Sequence, residues 1–419
     1  MKFKNIVFFA PCMFTGGAEY YFIRLAEYLA KHHKEFHIYY VEFLDGFARK
    51  MISSPEIIFL DYEKKEKTEI PENSLICFAL NHLIRIDTMI SYNRNNSLMM
   101  MWVMHFRHLS SNFTMNNYYK VSKKYRKEVG MYVEKLTDLG VLKFLGNIAY
   151  LKLSQQFLFK YHSIAPLPIP VSTEKYGINV PVLQRTGNMV RFCWLGRLDE
   201  EKSHNILTYM NELESINNDY NVSLSIIGVG SAEKMLKKKA SKYSFPINFV
   251  GEKREENLDI FIRNNVDVGL ASGTSSMEFA LRKVPVIEDW LLERVYKANE
   301  RDRYYLYGQT HITNITTNSY RFAEMGNFKS VFFDLMNNYL LRCEEAYKFV
   351  MTRSTYATGE KFVVEIQKMQ EIDIEECYRH IDALNDLTLK ARNNWMEKLH
   401  LRRLFVPICK LLSVEPAVI

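Results

Sequence analysis

The sequence predicts an α/β protein made of two Rossmann-like, doubly wound domains facing each other across a cleft. Three observations predict it. Short apolar runs alternate with helix-period segments through most of the chain, the pattern of parallel strands covered by helices. The length of 419 residues suits two or three domains. A proline-rich stretch, IAPLPIPVS at 164–172, separates two such βα series, because proline is excluded from central strands and helix interiors.

Residues 5–10 (NIVFFA) read as a first buried strand, and the helix after it carries Phe22, Leu25, Ala26 and Leu29 on one face. Further strands are predicted at 37–41, 57–60, 75–80, 98–104 and 148–153. After the proline-rich connector a polar stretch runs to Asn188. This predicts an N-terminal domain over 1–172, a linker over 173–188, a C-terminal domain over 189–375 and a basic amphipathic tail over 376–419. The second series has strands at 190–195, 222–227, 247–250, 266–270 and 284–287. Helices at 203–216, 231–242, 256–264 and from near Ser275 separate them. Such a fold binds its ligand at the carboxyl ends of the strands, here in the cleft between the halves.

Composition narrows the class. With 47% hydrophobic and 25% charged residues, the chain is neither disordered nor a disulfide scaffold. The net charge of +7 suits an anionic ligand or a membrane surface without demanding nucleic acid. Cys12, Cys77, Cys193, Cys343, Cys377 and Cys409 lack zinc-site or redox spacing and are expected as reduced thiols of a cytosolic protein. No stretch reaches the ~20 apolar residues of a membrane span. The amino terminus imitates a signal peptide, but a turn (Thr15-Gly16-Gly17) and an amphipathic helix follow without a cleavage site.

Several turns carry candidate chemistry. Gly16 and Gly17, at the first strand-to-helix turn, suit either an anion at a helix N-terminus or a tight turn. Without a third spaced glycine they do not make a dinucleotide fingerprint. Gly196-Arg197-Leu198 ends the strand 190–195 and Lys202 opens the next helix, so a forked guanidinium and a point charge straddle one turn. They suit a diphosphate, while Asp199, Glu200 and Glu201 offer Arg197 an internal partner. Gly228-Val229-Gly230 reads as a tight turn. Residues 271–278 (ASGTSSME) place glycine and hydroxyl residues at a helix start, an anion nest in which Glu278 suits vicinal ribose hydroxyls. A Ser or Thr N-cap with Glu278 as its capping partner fits the same residues. His82 and His105 follow apolar strands and would face the cleft, or serve structure only.

In this order, these residues resemble the GT-B glycosyltransferase family of bacterial polysaccharide and lipopolysaccharide sugar transferases. GGAEYYFIRLAEYL looks like its first glycine turn and helix, LPIPVSTEKYG like its linker entry, and WLGRLDEEK like its Gly-Arg and Lys motif. IIGVGSAEKML and the segment from INFVGEKREENL to KVPVI look like the rest of its nucleotide-binding domain. The resemblance implies that Arg197 and Lys202 hold a donor diphosphate, that the Gly273, Thr274, Ser275 and Ser276 amides assist, and that Glu278 binds the ribose. Gly16 and Gly17 are counted with these donor-binding residues, and His105 joins Arg197 and Lys202 in the catalytic set. Many relatives carry a second glutamate eight positions earlier, where this chain has Leu270, and no Gly-Gly follows Pro285-Val286-Ile287.

The expected activity is transfer of a sugar from a nucleotide-diphosphate sugar to a saccharide or lipid-linked saccharide. The family favours retention, and no metal or cofactor is expected beyond the co-substrate. An epimerase or phosphorylase on the same fold, and a non-catalytic nucleotide-sugar or nucleic-acid binder, remain alternatives. The last draws on Lys237-Lys238-Lys239, which also reads as a solvated face. Peripheral membrane contact at the inner face of the cytoplasmic membrane is suggested by two basic segments. In 117–135, cations interleave with Tyr118, Tyr119, Tyr125 and Tyr132. In 390–410, they accompany Trp395, Leu399, Leu404 and Phe405.

Overall fold

Two six-stranded sheets, one in each half of the chain, position everything that follows. The computed structural model describes residues 2–13, 17–104, 109, 122–173, 189–289, 303–308, 312–315, 320–322 and 326–398. The first sheet contains β1 (Asn5–Phe9), β2 (His37–Glu42), β3 (Ile57–Asp61), β4 (Ser74–Ala79), β5 (Leu98–Val103) and β6 (Leu142–Phe144). Their spatial order is β3-β2-β1-β4-β5-β6, all parallel. The second contains β7 (Met189–Leu195), β8 (Asn221–Ile227), β9 (Ile247–Gly251), β10 (Val268–Ala271), β11 (Val286–Asp289) and β12 (Tyr304–Leu306). Its order is β9-β8-β7-β10-β11-β12, with β12 antiparallel at the edge. Both orders are that of the dinucleotide-binding Rossmann sheet.

Helices of eight or more residues are α1 (Gly17–His32), α2 (Lys123–Asp138), α3 (Asn147–Phe157), α4 (Glu200–Ile216), α5 (Glu233–Ala240) and α6 (Glu255–Asn265). They continue with α7 (Thr274–Leu281), α8 (Phe328–Asn337), α9 (Tyr339–Met351), α10 (Thr355–Met369) and α11 (Ile374–Lys398). The central strands β4 and β5 are buried at every residue, as parallel strands covered on both faces must be. An aromatic cluster of Phe8, Tyr21, Phe22, Trp102 and Phe362 fills the first core, where the Trp102 indole donates to the Tyr21 hydroxyl at 2.6 Å.

The chain divides into Met1–Pro170 with Thr355–Ile419, and Val171–Ser354. This corrects the sequence-based boundaries: residues 355–375 belong with the first body, not with the C-terminal domain. There α10 packs on α1 and α11 on α2. At Gly359 a Cβ would fall 2.2 Å from the Tyr28 ring, so a side chain would push α10 off α1. Of the proposed tail, the part described is helical through Lys398. Tyr125 donates to the Leu387 carbonyl and the Tyr132 ring lies 5.9 Å from that of His380, so these two tyrosines face α11 rather than a lipid surface.

A second correction concerns 148–153, expected as a strand and found inside α3. Tyr150, Leu151, Leu153, Ser154 and Phe157 are buried, and the 150/153–154/157 spacing is helical. A short apolar run does not by itself separate the two. The sixth strand is instead Leu142–Phe144. The described cysteines are unbridged, and burial raises the Cys343 and Cys377 thiols to about 12. Among the described residues no helix is long and apolar enough to cross a membrane.

Candidate functional site

In the second sheet β7 and β10 are neighbours, and the chain order runs away from them in opposite directions. That is the topological switch point, where the turns leaving two adjacent strands open a crevice. The turn after β7 is Gly196–Asp199. Asp199 caps α4, its carboxylate accepting the Lys202 N–H at 2.9 Å. The turn is clamped from behind by the segment after β8: Gly196 N–H donates to Ile227 O at 3.1 Å and Leu198 N–H to Val229 O at 3.0 Å. A Cβ on Gly228 would lie 2.0 Å from the Gly196 carbonyl oxygen, so glycine there serves this close approach.

The turn after β10 is Ser272-Gly273. Gly273 has φ 69° with nothing within 4 Å of a would-be Cβ, so backbone conformation rather than space calls for glycine. Lys202 Nζ lies 3.4 Å from Ser272 Oγ and ties the two turns together at the switch point. Arg197 is 76% exposed and 3.4 Å from Asp199. A pair this open contributes about 0–1 kcal/mol, so redirecting the guanidinium to an incoming anion costs little.

The α7 end departs from a capping box. No side chain caps Gly273, and Glu278 instead pairs with Arg282 at 2.9 Å. Arg282, nearly fully buried, also holds Asp259 at 3.0 Å. Thr274 and Ser275 are partly exposed, whereas Ser276 is buried and gives its hydroxyl to Glu288. Glu288, unanticipated from sequence, is buried at the end of β11, and desolvation pushes its carboxyl above the ordinary range. Beside it Asp289 pairs with Arg303 at 2.5 Å. An acidic pair closing an apolar strand (VPVIED) was the available signal. Leu270 is a core residue of β10, so nothing at that position reaches a ligand.

In the first sheet the switch point lies between β1 and β4. Gly17 is the first residue of α1; Gly16 and His105 lie outside the described residues. His82 sits in the short helical turn ending β4, its ring 5.6 Å from that of Phe9. Glu42, also unanticipated, is buried and accepts the N–H groups of Cys12 at 2.7 Å and of Phe43 and Ala48 at 3.0 Å. Among the described residues no group of three or more His, Cys, Asp or Glu is placed to hold a metal.

No protein-family model matches the sequence, and no curated protein matches it. Solved structures do. Anabaena HepE, in complex with UDP and glucose, is similar over 86% of this chain and 99% of its own, with TM-score 0.50 and 12% identity. An E. coli trehalose-6-phosphate protein bound with UDP-2-fluoro glucose is similar over 88% of this chain and 99% of its own, with TM-score 0.52 and 9% identity. The architecture is that of the two-domain GT-B glycosyltransferases.

Proposed function

We propose that the protein is a glycosyltransferase that moves a sugar from a UDP-sugar or related nucleotide sugar to a saccharide or lipid-linked saccharide in cell-surface polysaccharide synthesis. The observation that carries this reading is the contact of Lys202 with Ser272 across the β7–β10 switch point, within a fold shared with two UDP-bound proteins. In this reading Arg197 and Lys202 neutralise the departing diphosphate, the Gly273–Ser276 amides at the start of α7 donate to its oxygens, and Glu278 turns to the ribose. Gly16 and Gly17, after β1, add backbone N–H groups for the donor, and His105, after β5, belongs to the catalytic set and meets the sugar or the acceptor.

Charge that develops on the leaving diphosphate is met by groups already in place, usually the largest catalytic term. Two cations beside helix amides supply what a divalent ion would supply, so we infer metal-independent transfer, with retention of configuration. Peripheral contact with an anionic membrane would bring a lipid-linked acceptor to the enzyme. The test is a panel of nucleotide sugars assayed with and without saccharide acceptors, before and after chelation. Transfer that survives chelation and needs an acceptor is expected. Donor isomerisation or phosphate-dependent cleavage would assign an epimerase or phosphorylase instead, and activity restored only by added metal would overturn metal independence.

A further inference from the structure

A buried carboxyl group lies against the first turn of α7. Glu288 is 7% exposed, its carboxylate accepts the Ser276 hydroxyl, and Tyr305 of β12 stands in register with it, its hydroxyl and the Gly273 N–H acting on the carboxylate electrostatically. Arg353, just past α9, acts on it through its charge. Across the sheet, Ala271 of β10 stands in register and brings no charge. On its own strand Asp289 is neutralised by Arg303, and the hydroxyls of Tyr209 and Tyr307 lie within its field.

The start of α7 thus touches both groups: Ser272 meets Lys202, and Ser276, in the first turn of the helix, meets Glu288. A diphosphate held by Lys202 and the first α7 amides therefore comes beside a buried carboxylate. Like charges in a poorly solvated site cannot both stay ionised at no cost, and the carboxylate relieves the clash by taking a proton.

Building on the donor reading above, we propose that Glu288 takes up a proton from solvent when a nucleoside diphosphate binds at the α7 turn, making donor affinity proton-linked. While the site is empty, the carboxylate holds the first turn of α7 through Ser276. Affinity then falls as pH rises from the free-state to the bound-state titration of Glu288, by up to about tenfold per pH unit. Below that range Glu288 is already neutral and the dependence levels off. The pattern is specific to this residue: Glu278 is paired with Arg282 and lacks such burial.

The experiment is calorimetric titration of the full chain with UDP across mildly acidic to neutral pH, in two buffers of different ionisation enthalpy, for wild type, Glu288→Gln and Ser276→Ala. The UDP phosphate itself titrates near pH ~6, so the difference between variants is the readout. Wild type is expected to take up more protons than Glu288→Gln, whose affinity follows only the UDP titration. Ser276→Ala, which removes a donor to the carboxylate, shifts the wild-type profile to higher pH. Identical proton uptake in wild type and Glu288→Gln, with UDP bound, overturns the proposal and leaves the donor reading intact. So does a folded Glu288→Gln that loses UDP at every pH. Should Glu288→Gln fail to fold, an unshifted Ser276→Ala profile overturns it alone. No binding of UDP, ADP or GDP by wild type overturns the donor reading, and this proposal with it.

Discussion

The two sheets share one strand order but use their switch points differently. In the first, Glu42 at the end of β2 accepts three backbone N–H groups, and at Gly46 a Cβ would fall 2.3 Å from the Glu42 carboxyl carbon, so the chain's own carboxylate fills that space. In the second, the hydrogen bond that Glu288 accepts comes from a side chain, the Ser276 hydroxyl. The Thr274 and Ser275 amides, as first residues of α7, have no acceptor inside the helix. Lys202 reaches Ser272 just ahead of them, and the largely exposed Arg197 lies on the turn after β7. The same topology thus gives, in one body, a strand end whose neighbouring N–H groups meet the chain's own carboxylate and, in the other, a helix start whose first amides lack acceptors within the helix.

The largest effect expected from this contrast is on turnover. Lys202→Ala and Arg197→Ala should each lower transfer by about 10²–10³ with melting temperature unchanged, because both side chains lie at a turn and not in a core. Near wild-type rates in both variants would break the comparison at its centre.

The converse test sits in the first sheet. Glu42→Ala removes the acceptor of three N–H groups, and leaving buried donors unsatisfied costs about 1–3 kcal/mol. Denaturant unfolding should show that loss while UDP affinity is kept. If UDP affinity falls with stability intact, Glu42 belongs to a ligand site and the two turns are more alike than their hydrogen bonds say.

Much of this was legible in the sequence because buried parallel strands read as unbroken apolar runs: NIVFFA, LICFAL and LMMMWVM lie on β1, β4 and β5 almost to the residue. The Gly-Arg turn and the ASGTSS turn were readable as separate anion sites, but their meeting through Lys202 and Ser272 is a consequence of strand order. What stayed hidden depends on long-range packing. Nothing local says that residues after 355 return to the first body, where Gly359 presses on Tyr28. Glu42 and Glu288 were missed because a carboxylate at a strand end reads as solvated until the chain folds over it.

A smaller effect is expected at Glu278. Its present partner, Arg282, keeps Asp259 when the glutamate is removed, so Glu278→Ala should leave stability nearly unchanged. Losing the ribose contact should weaken UDP by about tenfold, the value of one good hydrogen bond. Calorimetric affinity that is unchanged, or equally reduced for ribose-free pyrophosphate, would move the ribose role elsewhere.

The smallest and most salt-sensitive effect concerns the outer surfaces of the two bodies. On α2, Lys124, Lys127, Met131 and Lys135 are exposed at helical spacing, while Val129, Val133 and Leu136 are buried. The stripe is a single face, mainly cationic, with one apolar residue and with Asp138 exposed at its end, and so suited to lie on anionic headgroups. On α5 of the other body, Lys237 is already paired with Glu233 at 2.7 Å, and Lys234, Lys238 and Lys239 share that helix. Each cation near such a surface is worth ~1 kcal/mol and is screened by salt. Flotation with phosphatidylglycerol-containing vesicles should therefore weaken several-fold when Lys124, Lys127 and Lys135 are changed to Glu, and little when Lys234, Lys238 and Lys239 are. Charge reversal is the right perturbation because truncation before Lys390 would cut into α11, which packs on α2. Equal losses from both sets would make the attraction a property of net charge rather than of the α2 face. Flotation indifferent to either set, at low salt as at high, would remove the membrane from the function altogether.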